Sequence, residues 1–329
     1  MENILETIKY SFVLPAYKAN YLKEALDSIL NQTYSEFELI IVNDASPENV
    51  EGIVKSYDDK RIQYYRNEQN LGGKDLVAQW NHSISFAKGE YLILASDDDI
   101  YMPDYLEKMD ALVNKYPEVN VFRPRVKRVD NSGKILHIDG YQGEYLTQLE
   151  YVHAWTRQWL GSGIPFFVFR RQALLDIGGF VNYPLAWFSD DATVLKLAEK
   201  GVVIHNRDTL FAFRYSSENI STVQNSKKSL GAKLRATQMY YKEHLDFINN
   251  YPAKNAEEEH LLSAIRKHFP KMMRNNKVRS QLRASTFCAI CGNIKTGASI
   301  GCISRFFMIK CLKYPVKEGF KRMFARKKA

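Results

Sequence analysis

Cysteine is scarce. The 329-residue chain has four, and none precedes Cys288. Disulfides therefore cannot staple anything before that point. Long apolar runs are missing too: no stretch reaches the roughly 20 apolar residues that a membrane-spanning helix needs. The opening MENILETIKYSFVLPAY lacks the basic start and small-residue cleavage site of a signal peptide, so the expected location is the cytoplasm. Neither a P-loop nor a dinucleotide-binding fingerprint occurs. No internal repeat and no long low-complexity linker interrupts the chain. Cys288 and Cys291 have zinc-ligand spacing, but Cys302 and Cys311 stand nine apart with no histidine nearby. Buried or membrane-facing thiols are the expectation there, not a zinc site.

What is present is ordinary in amount and uneven in distribution. Apolar residues make up 45%, enough for a sizeable core, and there are 20 Tyr and 18 Phe. The net charge of +9 conceals two opposite halves. Residues 1–225 carry 23 Lys and Arg against 31 Asp and Glu; residues 226–329 carry 23 against 6. Such a split predicts two parts with different partners. The acidic body argues against nucleic acid as a ligand. The basic tail points to an anionic surface, a membrane above all.

The first half alternates strand and helix. Apolar runs at 11–15, 37–42 and 91–95, and the segment 61–66, read as strands, and periodic segments at 21–32, 47–57, 75–87 and 105–116 as helices. Ser46 is the expected cap of the second helix, with Pro47 in its first turn. Segments 119–129 and 166–170 read as further strands, and 147–160 and 191–200 as helices. After residue 225 the chain reads as helical and basic. This alternation predicts an α/β fold, a mostly parallel sheet with helices on both faces. Ligands of such sheets bind beyond the C-terminal strand ends. Pro15-Ala16-Tyr17, Asn43-Asp44 and Ser96-Asp97-Asp98-Asp99 stand at those ends.

Asp97, Asp98 and Asp99 are the sharpest local feature. Adjacent carboxylates repel, and a hard cation such as Mg²⁺ or Mn²⁺ removes the penalty, often together with substrate phosphates. A solvated turn with a helix cap is the plainer explanation. Asp190 and Asp191 open a helix after Trp187 and Phe188. Capping accounts for them; a general base, partly desolvated by the aromatic rings, is the functional alternative. Asp44 is a candidate to bond a base or ribose, and Gly72-Gly73-Lys74 is a candidate phosphate cradle before a helix. Each of these two is weak alone.

Together the pieces resemble the family 2 inverting glycosyltransferases, of GT-A fold. The strand Phe12-Val13-Leu14-Pro15-Ala16-Tyr17 is similar to that family's opening Pro-x-Tyr. Ser28-Ile29-Leu30-Asn31-Gln32-Thr33 and Val42-Asn43-Asp44-Ala45-Ser46 follow in order. Asn81 and Ala87-Lys88-Gly89-Glu90-Tyr91 match the approach to the metal motif, here Ser96-Asp97-Asp98-Asp99. Phe169-Arg170-Arg171, Gly178-Gly179-Phe180 and Asp190-Asp191 match its Arg-Arg, Gly-Gly-Phe and Glu-Asp elements. The resemblance covers roughly residues 8 to 222.

The resemblance implies a catalytic domain over 1–222, a Rossmann-like sheet with flanking helices, and a helical basic region over 223–329. It implies that Pro15, Ala16, Tyr17, Asp44, Lys74 and Asp97 line the nucleotide site. Tyr17 would lie against the base, Asp44 bond it, and Asp97 approach the ribose. Asp98 and Asp99 are the candidates for Mn²⁺ or Mg²⁺, although the choice among Asp97, Asp98 and Asp99 stays open. Asp191, with Asp190 beside it, is the implied catalytic base. The implied donor is a nucleoside-diphosphate sugar, UDP by family habit, and the implied acceptor a glycan or lipid-linked hydroxyl. Asn43, Ser96 and Asp190 depart from the usual residues, and Ser216 stands where relatives carry a metal-binding histidine. These departures motivate the alternative of a catalytically silent sugar-nucleotide-binding or scaffold protein. A nucleotidyltransferase would need a Gly-rich basic loop near the N-terminus, which residues 11–20 lack. In the tail, Val316, Phe320, Met323 and Phe324 share one helical face among Lys317, Lys321 and Arg322, the pattern of a helix lying in a membrane interface. Packing of that helix on the domain is the alternative.

Overall fold

The computed structural model describes residues 8–198, 201–216, 219, 226–301 and 303–311. The chain forms two compact units. The first holds the described residues of Met1–Tyr151, Gln158–Asn182 and Ser189–Tyr215; the second holds those of Val152–Arg157, Tyr183–Phe188 and Ser216–Ala329.

The first unit begins with β1 (Tyr10–Ala16), α1 (Leu22–Leu30), β2 (Phe37–Asn43), α2 (Val50–Lys55), β3 (Ile62–Arg66), α3 (Leu76–Ile84) and β4 (Tyr91–Leu94). All of β2 and β4 and nearly all of β1 are buried, as strands covered on both faces must be. Their one charged residue is Glu38, 2% exposed. It accepts from Ser11 Oγ at 2.5 Å, Gln63 Nε2 at 2.7 Å and the N–H of Lys88 at 2.7 Å. A buried carboxylate surrounded by donors ties three strands at one level. Helix α2 is shorter than its sequence pattern and starts later. Its cap is Asn49, whose Oδ1 accepts from Gly52 N–H at 3.1 Å. Ser46 instead donates to the Tyr17 carbonyl at 2.5 Å, so it serves the loop after β2.

The unit continues with β5 (Ile100–Tyr101), α4 (Tyr105–Lys115), β6 (Val121–Val129), β7 (Ile135–Ile138), β8 (Tyr145–Thr147) and α5 (Gln148–Thr156), whose last residues belong to the second unit. Then come β9 (Val168–Arg170), α6 (Arg171–Asp176), α7 (Ser189–Ala198) and β10 (Val202–Arg214). The sheet order is β3-β2-β1-β4-β9-β6-β10-β5, with β7 beside β6 and β8 beside β10. Strands β1 to β4 pair in parallel, as do β6 and β10. Strand β9 lies antiparallel between β4 and β6, so the sheet is α/β and mixed, parallel in the half that carries the strand-end motifs.

The second unit is helical: α8 (Lys227–Asn250), α9 (Ala256–Met272), a π-helical turn at Met273–Val278, α10 (Arg279–Arg283), α11 (Phe287–Cys291), α12 (Ile294–Ala298) and α13 (Arg305–Cys311). Its core is aromatic: Phe188 stacks on Tyr240 at 4.6 Å, and Tyr241 on Phe269 at 5.3 Å. Of the buried or membrane-facing thiols expected, Cys311 is buried, while Cys288 and Cys291 are exposed. Cys302 and the segment 312–329, with the expected amphipathic helix, lie outside the described residues. Among the described residues no helix is long and apolar enough to cross a membrane.

Candidate active site

The site grows from the C-terminal ends of β1, β2 and β4. Their registers align: Ala16 faces Asn43 across β1 and β2, and Val13 faces Leu94 across β1 and β4. The three chains therefore leave the sheet side by side. Asp97, three residues past β4, turns back and accepts from the backbone N–H groups of Tyr17 at 2.9 Å and Lys18 at 2.8 Å. Asp44 N–H donates to the Ala16 carbonyl at 3.0 Å. The loop carrying Pro15, Ala16 and Tyr17 is thus pinned from both sides, and Tyr17 keeps 41% of its surface exposed.

Asp44 organises the next loop. Its Oδ1 accepts from Leu71 N–H at 2.8 Å and Asn67 Nδ2 at 2.8 Å, and its Oδ2 from Gly72 N–H at 2.7 Å. A carboxylate has about four acceptor sites, so one remains. A Cβ on Gly72 would lie 3.0 Å from Asp44 Oδ2, which is why the close approach takes glycine. The amides of Leu71 and Gly72 point at Asp44, and that of Gly73 at Asn70 Oδ1. The loop is thus built on protein acceptors rather than left as an open cradle. Lys74 sits just before α3 with its Nζ 3.2 Å from Gln69 Oε1.

The three neighbouring carboxylates differ in role. Asp99 is fully buried; it accepts from Arg214 N–H at 2.8 Å and from the Ser96 hydroxyl. Arg214, at the end of β10, also donates Nε to the Asp98 carbonyl at 2.9 Å and Nη2 to Glu24 at 2.6 Å, and covers the Tyr21 ring at 4.2 Å. One arginine therefore fastens the motif to α1 and β10. Burial raises all three carboxyls above the usual range, and for Asp98 and Asp99 the neighbouring aspartates push further. Asp98 is pushed up to about 6. It is 8% exposed and, among the described residues, takes no backbone N–H. Among the described residues no three His, Cys, Asp or Glu side chains are grouped to hold a metal ion by themselves, and Asp98, least committed to the protein, is the carboxylate left to meet a cation together with phosphate oxygens. Asp97 and Asp99 are already engaged with the backbone.

Asp190 and Asp191 stand in the first turn of α7, where the helix dipole favours carboxylates. Asp191 is 4% exposed. Thr193 fixes this turn, donating to the Ser189 carbonyl at 2.6 Å and accepting from Val181 N–H at 2.9 Å. The chain reaches Ser189 through left-handed backbone at Leu185, Ala186 and Phe188, φ 58°, 54° and 69°. Side chains disfavour this region, so the approach to α7 holds strain. Trp187 and Phe188 belong to the second unit, with Lys233 Nζ 4.5 Å over the Trp187 ring.

Sequence reasoning missed the supports. Glu38 reads as one charge in an apolar strand, and Arg214 as half of a motif lacking its histidine. Asn81 was legible only as a family position. Its Oδ1 accepts from Phe180 N–H at 2.9 Å, and Gly178 and Gly179 make the turn with φ 85° and 86°.

Several known proteins are similar. An uncharacterized glycosyltransferase of Rickettsia typhi is 38% identical over 112 residues, 34% of each chain. One from Methanocaldococcus jannaschii is 37% identical over 132 residues, covering 38% of this chain and 44% of the relative. The match thus spans less than half the length of these relatives. Among solved structures, Staphylococcus aureus TarS in complex with UDP-GlcNAc superposes with a TM-score of 0.62 at 18% identity, covering 95% of this chain and 92% of that one. A mannosyltransferase from Pyrobaculum calidifontis, in complex with GDP-Man and Mn²⁺, gives 0.52 at 14% identity, covering 94% and 87%. Both share the fold. The family model for glycosyl transferase family 2 matches residues 11–178, from the first strand of the sheet to the Gly-Gly turn, and the chain belongs to that family.

Proposed function

We propose that this chain transfers a sugar from a nucleoside-diphosphate sugar, a UDP-sugar first among them, to a hydroxyl of a glycan or lipid-linked acceptor, inverting the anomeric carbon. The observation that carries the reading is the Asp97 clasp, which joins the ends of β1 and β4 where a parallel sheet binds its ligand. The nucleotide-sugar complexes of the two solved neighbours support a donor of this class.

In this reading the exposed Tyr17 ring stacks on the base, and the remaining acceptor site of Asp44 bonds its edge. Asp97 holds the Tyr17–Lys18 backbone against the nucleoside. Asp98 would hold a divalent cation, which would supply neutralisation of charge on the diphosphate leaving group. Asp191 takes the acceptor proton while the acceptor oxygen bonds the anomeric carbon. The bond from that carbon to the diphosphate breaks, and its electron pair leaves on the diphosphate. Attack from the face opposite the leaving group inverts the centre. The basic tail serves, in the same proposal, to bring the enzyme to an anionic membrane surface.

A thermal-shift screen of sugar nucleotides with Mn²⁺ or Mg²⁺ tests this. A ligand at 100 times its Kd adds about 2.7 kcal/mol, readily seen as a raised Tm. The cognate donor should stabilise the wild type in a metal-dependent way, and Asp98→Ala should lose that dependence. Asp191→Asn should bind donor normally yet turn over roughly 10²–10⁴-fold more slowly. No stabilisation by any sugar nucleotide would defeat the proposal. Binding with no turnover in the wild type would leave a silent binding protein.

A further inference from the structure

Behind α7 lies a group of buried polar side chains that the transfer reaction above does not use. Arg123 on β6 and His205 on β10 are register partners, both with 0% exposure. Arg123 Nη2 donates to Asp139 Oδ2 at 2.6 Å, and its guanidinium lies 5.7 Å from the Phe167 ring centre. Its Nε and Nη1 have no hydrogen-bond partner among the described residues, and neither do the two His205 ring nitrogens. Tyr151 on α5 is 2% exposed, and its hydroxyl likewise has no partner there. Buried polar groups in native proteins are nearly always satisfied, so such a concentration asks for a reason.

The helices aim this group at α7. Gln148 Nε2 of α5 donates to the Leu195 carbonyl of α7 at 3.2 Å, so these helices touch. Tyr151 lies three residues on from Gln148, on the same face of α5; Asp191 lies four residues back from Leu195, on the same face of α7. α7 in turn packs on β6, the strand of Arg123. The charges acting on the Tyr151 hydroxyl are those of Arg123, Asp191, Asp190 and Asp139.

We propose that Tyr151 is a positioning residue for Asp191, its hydroxyl donating to that carboxylate in the substrate-loaded protein while the Arg123–Asp139 pair holds the phenol from behind. This rests on the reading of Asp191 as the base. A neutral donor at this place orients the carboxylate without removing its charge, and it leaves the nucleotide end of the site untouched.

Tyr151→Phe in the full chain removes only the hydroxyl. Turnover is measured with the sugar nucleotide selected by the thermal-shift screen, with Mn²⁺ and water as acceptor. We expect kcat to fall roughly 10-fold or more, with the donor KM and the metal-dependent donor stabilisation unchanged and Tm equal or higher. Adding Tyr151→Phe to Asp191→Asn should cost nothing further, because the two act as a unit. Wild-type kcat in Tyr151→Phe, with Asp191→Asn impaired, overturns the proposal, as does a raised donor KM. Wild-type kcat in Asp191→Asn itself overturns the base assignment instead, so the two failures are separable.

Discussion

Two adjacent glycines show how much can rest on one hydrogen atom. Gly178 and Gly179 have nearly the same left-handed φ, yet their surroundings differ. A Cβ on Gly178 would meet nothing within 4 Å, whereas one on Gly179 would lie 2.5 Å from Asn81 Oδ1. That oxygen accepts from Phe180 N–H, and Phe180 packs against Phe169 and Trp80. Gly178→Ala should therefore cost about 1 kcal/mol for backbone strain alone. Gly179→Ala should cost about 2 kcal/mol more, because it also displaces the Asn81 bond and leaves a buried amide unsatisfied. Urea unfolding of both variants measures the difference; equal costs would refute it. The Gly-Gly-Phe string was legible in the sequence, but its reason was not, since Asn81 is far away in the chain.

Elements repeat the lesson. Helix α3 was legible at the sequence level as the periodic segment 75–87. The structure starts it one residue later and makes Asp75 its cap: Asp75 Oδ1 accepts from Ala78 N–H at 3.0 Å, while Oδ2 accepts from Asn182 Nδ2 at 2.7 Å. Asp75→Ala should destabilise by about 1–2 kcal/mol, and Asp75→Asn, which still caps, by less. Chemical denaturation of the pair decides this. Helix α2 was misplaced because Ser46-Pro47 carries the same local signal as Asn49, and only the loop contact to Tyr17 separates them. Strand β10 left no signal. Its thirteen residues include the polar stretch Asn206-Arg207-Asp208, and its pairing with β6 shifts register between Asn206 and Phe211. A bulged strand breaks the alternation by which strands are read.

The whole molecule should be sensitive to acid. His205 and His244 are both buried and neutral, each pushed down to about 3, chiefly by burial. Between the ordinary value near 6.5 and about 3, the unfolded chain binds the protons that the folded chain refuses. The contribution of these two histidines is therefore full above pH 6.5 and is lost as pH falls, by up to about 1.4 kcal/mol per pH unit for each. The raised carboxyls of Asp97, Asp98 and Asp99 act with the opposite sign, so a comparison isolates the effect. His244→Phe should flatten the fall in stability between pH 6 and 5 by about that amount; an unchanged slope would show that His244 protonates in the folded state. The charge division also belongs to this scale. With 23 basic and 6 acidic residues after position 225, the full chain should sediment with anionic vesicles and less so in high salt. A truncation ending near Ser299 should stay in solution. Equal sedimentation of both would leave the tail no role at a membrane.

Sequence alone determined what depends on short-range order: the alternation of strand and helix, the motifs at the strand ends, and the family they compose. These follow from periodicity and from residue types that few local backbones accommodate. Tertiary structure decided how the motifs are held. Asp97 accepts from the backbone of the loop after β1 and Asp99 from that of β10, Arg214 ties the motif to α1 and β10, and α5 meets α7 through Gln148. Hydrogen bonds in a protein interior form between groups that folding brings together, and their partners lie about 80 or more residues apart for Asp97 with Tyr17 and Asp99 with Arg214. No local pattern encodes such a pairing. It exists only once the sheet has set its strands in register.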